Sequence, residues 1–499
     1  MSEKATFIAV DLGASGGRAL VGEVGGQRID LRELHRFPNG PIDLLGHLHW
    51  DALHLHQEIL TGLNQYARAF DKPLAGISVD TWGVDFGLLD RAGRLLGNPY
   101  HYRDKRAEPM PQRLAERISS EELYETTGIQ VMPINTLYQL YSMVEAEDPQ
   151  LEQADALLMM PDLFHYWLTG EATCEYTIAS TSQMLAARER RWATELLNQL
   201  GIPTDMLLEP IMPGTVISPL REAVAAEVGL PGGAPVIATG GHDTAGAVAG
   251  IPDLDENSVY ISSGTWSLVG VEVSEPVINE RARRLNFTNE GGVGGTIRLL
   301  KNVAGLWLLQ ESKRQWAREG RMHTWEEILE QAAQAPPFSS LIDPDAPQFL
   351  NPGDMPAAIR AYCRQTDQPE PDALGAVARC CLESLALRYR WVLEALQTLT
   401  GRKVDTIRVV GGGSLNQLLN QFTADACGCE VVAGPVEATA LGNILMQAVA
   451  TGQMESISSG RRVVAASVAR QTFQPQHVEA WDEAFTRFTN LVGMDPRKV

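Results

Sequence analysis

The chain states nearly the same local pattern twice, about half its length apart, and that duplication constrains its fold more than any single motif. Near the start, the apolar run Phe7-Ile8-Ala9-Val10 leads into Asp11-Leu12-Gly13-Ala14-Ser15-Gly16-Gly17-Arg18 and returns as Ala19-Leu20-Val21-Gly22-Glu23-Val24. Later, Val259-Tyr260-Ile261 leads into Ser262-Ser263-Gly264-Thr265-Trp266 and returns as Ser267-Leu268-Val269-Gly270-Val271-Glu272-Val273. A second pair of echoes, Pro235-Val236-Ile237-Ala238-Thr239-Gly240-Gly241 and Ile407-Arg408-Val409-Val410-Gly411-Gly412-Gly413, ends each apolar run in glycines that open a helix. The period is a whole domain. The expectation is therefore two related lobes, residues 1–250 and 251–499, facing one cleft, each presenting a turn of small residues to a phosphate chain.

A length of 499 residues exceeds one ordinary core and suits two such lobes. The 41 basic and 62 acidic side chains leave a formal charge of -21, which opposes nucleic acid and anionic membrane surfaces. A phosphorylated ligand must then be held by local amides and metal. The start carries no signal-like apolar stretch, and no apolar run reaches the length of a membrane span. The six cysteines are unevenly spaced, and Cys427-Gly428-Cys429 lacks the second pair of a zinc site. These features predict a cytoplasmic protein with reduced thiols and no partner in membrane or nucleic acid, a monomer or small homo-oligomer.

Strands are expected at 7–10, 19–24 and 29–37, then a helix capped by Asp51 with Leu55, Ile59, Leu63, Tyr66 and Phe70 on one face. Residues 74–79 and 84–89 read as further strands. Residues 100–209 read as a mostly helical elaboration of the first lobe, and 250–258 as the linker. Residues 336–371 hold eight prolines and read as a surface excursion without helix or sheet. A helix over 372–399 and a strand–helix unit over 404–452 complete the second lobe. The tail from 463 reads as one strand and one amphipathic helix.

Five segments could carry chemistry. The glycines around Asp11 could let successive amides form a nest for phosphate oxygens, with Arg18 as a bidentate partner and Asp11 holding Mg²⁺ through water; the plain alternative is a hairpin. Ser262-Ser263-Gly264-Thr265 is the matching turn of the second repeat. In Gly240-Gly241-His242-Asp243-Thr244, Asp243 is either a general base for a hydroxyl or, like Thr244, a helix cap. His242 is a substrate hydrogen-bond partner or a satisfied core histidine. Asp80-Thr81-Trp82-Gly83-Val84-Asp85 offers carboxylates and an aromatic face suited to a sugar, or is a hairpin with exposed acids. Gly411-Gly412-Gly413 could make a flat backbone surface for adenine or ribose, or a turn capped by Ser414.

In this order and spacing, and with Asn135-Thr136-Leu137-Tyr138-Gln139-Leu140-Tyr141 and Lys301-Asn302-Val303-Ala304-Gly305-Leu306-Trp307-Leu308-Leu309-Gln310-Glu311, the segments resemble the FGGY family of carbohydrate kinases. The resemblance implies an α/β fold of two actin-like (ribonuclease H-like) lobes, mixed sheets flanked by helices, with the active site in the interlobe cleft. It implies an ATP- and Mg²⁺-dependent transfer of the γ-phosphate to the 1-hydroxyl of a ketose, L-rhamnulose ahead of fuculose or xylulose. An actin-like nucleotide switch is the rival from another class. Carried over by position, Ala14, Ser15, Gly16, Gly17 and Arg18 would form the first phosphate loop, and Gly83, His242, Asp243 and Thr244 would contact the sugar, with Asp243 as proton acceptor. Thr265, Asn302, Gln310, Gly411 and Gly412 would hold ATP. Relatives often carry Ser where Gly16 stands, so one side-chain contact to phosphate is expected to be missing while the backbone nest survives; the Lys that many carry near Thr136 is also absent, which removes a family mark without touching the implied chemistry.

Overall fold

The computed structural model describes residues 4–499. The chain forms two compact units, Met1–Asp253 with Glu272–Leu299 and Ala438–Val468, and Leu254–Val271 with Leu300–Glu437 and Ala469–Val499. These are not the two halves of the chain. Two segments of the second half belong with the first, because their side chains complete its core.

In the first unit, Ala5–Gly13, Gly16–Gly25 and Arg28–Pro38 form an antiparallel meander. Gly76–Thr81 pairs parallel to the first strand, and Pro235–Ala238 parallel to Gly76–Thr81, with Thr215–Pro219 at the edge. The apolar run of the first strand is buried without interruption from Thr6 to Leu12. A strand covered on both faces reads as a continuous apolar run rather than an alternation. One cover is the helix Ala52–Ala69, with Asp51 accepting from His54 N at its start and Leu55, Ile59, Leu63 and Tyr66 turned inward. The other is Ala438–Ala450, whose Ile444 lies so close over Gly22 that a Cβ there would come within 2.8 Å.

The second unit repeats the plan. Ser258–Ser263 pairs antiparallel to Ser267–Val273 and parallel to Thr406–Val410, which pairs parallel to Glu430–Ala433. With Ile297–Val303, which enters this unit at Leu300, the order is third, second, first, fourth, fifth, as in the first sheet. The long helix Leu374–Thr400 is mostly buried and has no exposed residue.

Two expectations change. The stretch 336–371 contains the helix Met355–Gln365, capped by Asp354 and starting with Pro356 in its first turn. Proline is tolerated there because the first-turn amides have no helical partner, so counting prolines misread it. The tail from 463 begins inside the helix Ile457–Ser467, before Gln471–Phe473 and Val478–Val492. Among the described residues, no helix is long and apolar enough to cross a membrane.

Candidate active site

Three of the segments meet in the first unit. Asp11 and Asp80 are register partners on adjacent parallel strands. Trp82 N donates to Leu12 O at 3.2 Å, and Thr81 N to Gly241 O at 2.9 Å, which carries the next chain alongside. A Cβ at Gly83 would stand 3.4 Å from His242 Nε2, so Gly83 and His242 are neighbours as well.

His242 takes the extended N-cap position of the helix Asp243–Ala249 without a side-chain cap bond. Asp243 is therefore the first helical residue and Thr244 the second. Neither is the cap residue that one reading proposed. Thr244 Oγ1 donates to Asp243 Oδ1 at 3.1 Å. The turn is locked from outside: Glu175 Oε2 accepts from Gly241 N at 3.0 Å, and Thr177 Oγ1 from His242 N at 3.3 Å. The helix itself packs backbone to backbone on Ala438–Ala450, where a Cβ at Gly442 would lie 1.8 Å from Gly246 O.

Electrostatics follows from this crowding. Burial and the neighbouring Asp11 raise the Asp80 carboxyl well above the usual carboxylate range, against a hydrogen bond from Asn443 Nδ2 at 2.6 Å. Nearly a third of the Asp243 side chain reaches solvent. Its carboxyl is nevertheless ringed by protein, and burial first, then Asp11, raises its pKa against the opposing effect of His242. Asp11 is held by Arg18 Nη2 at 2.7 Å. Three carboxylates in mutual range with one guanidinium suit proton acceptance from an alcohol, since a base works best with a raised pKa.

The first turn differs from its expected form. Ala14 and Ser15 make a two-residue loop closed by the pair Gly13 and Gly16, and none of Gly13, Gly16 and Gly17 has a positive φ. The left-handed residues of an alternating nest are absent, and what the loop offers a phosphate is the backbone of the Ala14–Ser15 turn. Gly17 is required for packing instead: a Cβ would come within 2.3 Å of the Phe37 ring. Trp82 is almost fully buried. Its Nε1 donates to Asp85 at 2.9 Å and its ring tilts on Trp50 with centroids 3.9 Å apart, so one face and the N–H are occupied. Asp85 is no exposed acid. It accepts from Trp50, Trp82, Gln139 and Tyr102 N, and burial raises it to about 6.

In the second unit the remaining candidates also converge. Thr265 Oγ1 donates to Gln310 Oε1 at 3.2 Å. Leu306 N donates to Gly264 O and Trp307 N to Thr265 O, both at 3.1 Å, an approach possible because Gly305 (φ 53°) lacks a Cβ that would sit 2.5 Å from Trp266. Gly411 (φ 81°) and Gly413 pack on Ser263, where a Cβ at Gly413 would stand 1.9 Å from Oγ. Gly412 has nothing within 4 Å of its Cβ position, so it alone of the three presents open backbone. Asn416, rather than Ser414, caps the following helix Gln417–Cys427. Asn302 lies on the neighbouring strand, half-buried. Asp345, from the proline-rich stretch, accepts from Ala304 N at 3.0 Å and pairs with Arg388 at 2.7 Å, bracing the segment that leads to Gln310.

Sequence reasoning missed Asn443 and Gln447. They stand one turn apart on a mostly apolar helix, Gln447 Nε2 donating to Asn443 Oδ1 at 2.7 Å and to Ile8 O at 2.9 Å. Two amides at helical spacing in an apolar run were the available signal.

Known proteins now bear on the chain. The model of the N-terminal domain of the FGGY family of carbohydrate kinases matches residues 6–250, and that of the C-terminal domain residues 259–451. The chain belongs to this family. FGGY proteins are phosphotransferases with an alcohol acceptor, so ATP and a sugar are the substrates to accommodate. Among its relatives, a rhamnulokinase of Bacteroides thetaiotaomicron is 47% identical over 98% of this chain and all of its own length. A rhamnulokinase of Enterococcus faecalis is 43% identical over 96% of both chains. Solved structures share the fold: gluconate kinase of Lactobacillus acidophilus superposes with a TM-score of 0.81 at 16% identity, covering 98% of each chain. Xylulose kinase of the same organism gives 0.78 at 17% identity, covering 99% of each. The FGGY fold is thus two actin-like α/β lobes with mixed sheets, matching the repeated strand order.

Proposed function

We propose that this chain is an ATP-dependent kinase of L-rhamnulose that transfers the γ-phosphate to the 1-hydroxyl, giving L-rhamnulose 1-phosphate and ADP. The observation that carries the reading is the carboxylate cluster Asp11, Asp80 and Asp243 beside His242 and Gly83, at strand tips of a family of sugar kinases. Identity of 47% and 43% to rhamnulokinases over almost the whole chain supports the substrate.

In this reading Asp243 takes the proton of the 1-hydroxyl as the bond from that oxygen to Pγ forms and the bond from Pγ to the ADP oxygen breaks. Phosphoryl transfer needs little covalent chemistry beyond position and charge neutralisation. His242, Thr244 and Gly83 orient the sugar, with Asp80 and Trp82 supporting them from the buried side. Thr265, Asn302, Gln310, Gly411 and the open backbone of Gly412 hold the nucleotide, and Ala14, Ser15, Gly16, Gly17 and Arg18 line the phosphate side. Mg²⁺ fits the acidic end: Asp11 keeps one oxygen beyond its bond to Arg18, and its charge raises the pKa of both Asp80 and Asp243, a repulsion that a cation relieves. Bound there through water, it would supply charge neutralisation for the phosphate oxygens. Action in the cytoplasm is part of the proposal.

ADP release, coupled to an optical readout, tests this with L-rhamnulose, L-fuculose and xylulose as acceptors. The highest kcat/KM is expected for L-rhamnulose. A clear preference for another ketose overturns the substrate, and turnover independent of any sugar overturns the kinase reading.

A further inference from the structure

The His242 ring is surrounded by groups that none of the motifs contains. Arg298, on the strand Ile297–Val303, is wholly buried, and its Nη2 lies 3.0 Å from His242 Nδ1. The same nitrogen lies 3.1 Å from Glu290 Oε2, which is itself 3.3 Å from Nδ1. The guanidinium is held in place elsewhere too. Its Nε donates to Gly291 O at 2.9 Å, and Gly291 N donates to Ser180 Oγ at 2.7 Å.

An arginine side chain carries only donors and keeps its charge in proteins. A contact at 3.0 Å with a ring nitrogen therefore calls for a lone pair on that nitrogen. A proton on Nδ1 would face an N–H of Arg298 across hydrogen-bond distance. Glu290 Oε2 lies nearer to Arg298, an ion pair at 3.1 Å, than to Nδ1, at 3.3 Å, so the guanidinium balances its charge without a proton on Nδ1. Which tautomer a neutral histidine adopts is set by the bond made at its other nitrogen.

We infer that Arg298 is a positioning residue that holds neutral His242 with its proton on Nε2. That nitrogen stands 3.4 Å from Asp243 Oδ1, and Gly83 sets no side chain against it. Resting on the kinase reading above, adjacent residues then divide two roles: Asp243 accepts from the reacting hydroxyl, and His242 Nε2–H donates to an oxygen on the next carbon. A ketose has such an oxygen on C2 beside its 1-hydroxyl, so the pair selects for acceptors that carry one.

The test labels the histidine ring nitrogens with ¹⁵N and records long-range proton–nitrogen correlations at neutral pH, without sugar or nucleotide. The His242 signals are assigned by their loss in His242→Gln. The expected pattern places the proton on Nε2 in the unaltered protein and moves it toward Nδ1 in Arg298→Met, where Glu290 becomes the acceptor. Arg298→Lys, which keeps a donor, is expected to restore the Nε2–H pattern. A proton on Nδ1 in the unaltered protein overturns the inference, as does an unchanged tautomer in folded Arg298→Met. Should Arg298→Met fail to fold, the spectrum of the unaltered protein still decides. The sugar KM of Arg298→Met is expected to rise about tenfold, the loss of one hydrogen bond, with ATP KM unmoved. A tautomer that moves without a change in sugar KM refutes the donor role of His242 and leaves the tautomer assignment standing. Because the spectra contain no sugar, a wrong substrate leaves their outcome unaffected.

Discussion

Replacing Asp243 by asparagine separates a catalytic base from a local structural acid. Asparagine keeps the shape and the oxygen that accepts from Thr244 Oγ1 at 3.1 Å, so the helix start is preserved. The lost charge at the first helical position forgoes ~0.3–1 kcal/mol of interaction with the helix dipole. Two terms oppose that loss, the relieved repulsion from Asp11 and the removed cost of a buried charge, both of which raise the Asp243 pKa. Stability should therefore change by less than about 1 kcal/mol, a few degrees in Tm at most. Loss of a positioned base lowers turnover by ~10²–10⁴, or about 2.7–5.4 kcal/mol of barrier at 1.36 kcal/mol per decade. The two scales do not overlap. The assay pairs coupled ADP release under saturating ketose with thermal melting and ATP titration calorimetry. Turnover of Asp243→Asn within tenfold of the unaltered enzyme, with the fold intact, would refute the base role. The pH profile gives a second handle: a base acts only when ionised, so kcat/KM should fall as pH drops through the raised Asp243 pKa, above the ordinary 3.8. Residual activity of the asparagine variant should lack that limb.

Gly412→Ala and Gly413→Ala form a matched pair: the first meets open space and should leave Tm unchanged while raising ATP KM, since its methyl sits on the backbone face proposed for the nucleotide. The second drives a Cβ to 1.9 Å from Ser263 Oγ and should cost ~1–3 kcal/mol of stability, read from urea unfolding; equal stabilities for the two would contradict the packing argument. Glu175 titrates at about 7 when folded, against 4.5 ordinarily, because burial outweighs its four hydrogen bonds. The native state therefore keeps a proton that the unfolded chain has released, and its stability falls as pH rises from about 4.5 to 7, by on the order of 3 kcal/mol. Glu175→Gln should lessen that slope in unfolding curves measured across the window by the Glu175 share, leaving the shares of the other raised acids, Asp80, Asp85, Asp162 and Asp243; an unaltered slope would count against it.

Much of the fold was legible because its signals are local. The buried first strand, the Asp51 cap and the doubled strand–turn–strand unit each lie within a few residues, and the repeat implied two related lobes, which the shared strand order matches. The helix Met355–Gln365 was missed because proline is informative only relative to a helix start, and the start at Asp354 was not located. The glycines around Ala14 stood out for their backbone freedom, and the structure adds a packing reason at one of them. Sequence registers that a side chain is absent, and only packing tells that Phe37 fills the space at Gly17.

The amino-acid sequence by itself determined which backbone turns exist and which chemical groups stand at their tips: Asp11, Asp80, His242, Asp243 and Thr265 all sit at strand ends or helix starts that local patterns specify. Tertiary structure decided what surrounds them. Asn443 reaches Asp80 from 363 positions away, and Arg298 reaches His242 from 56. Such partners have no spacing rule, because side chains that meet across packed elements are neighbours only once the burial of both sheets has brought those elements together. The protonation of Asp80 and Asp243 and the hydrogen-bonding sense of His242 are properties of that enclosure, which no local pattern encodes.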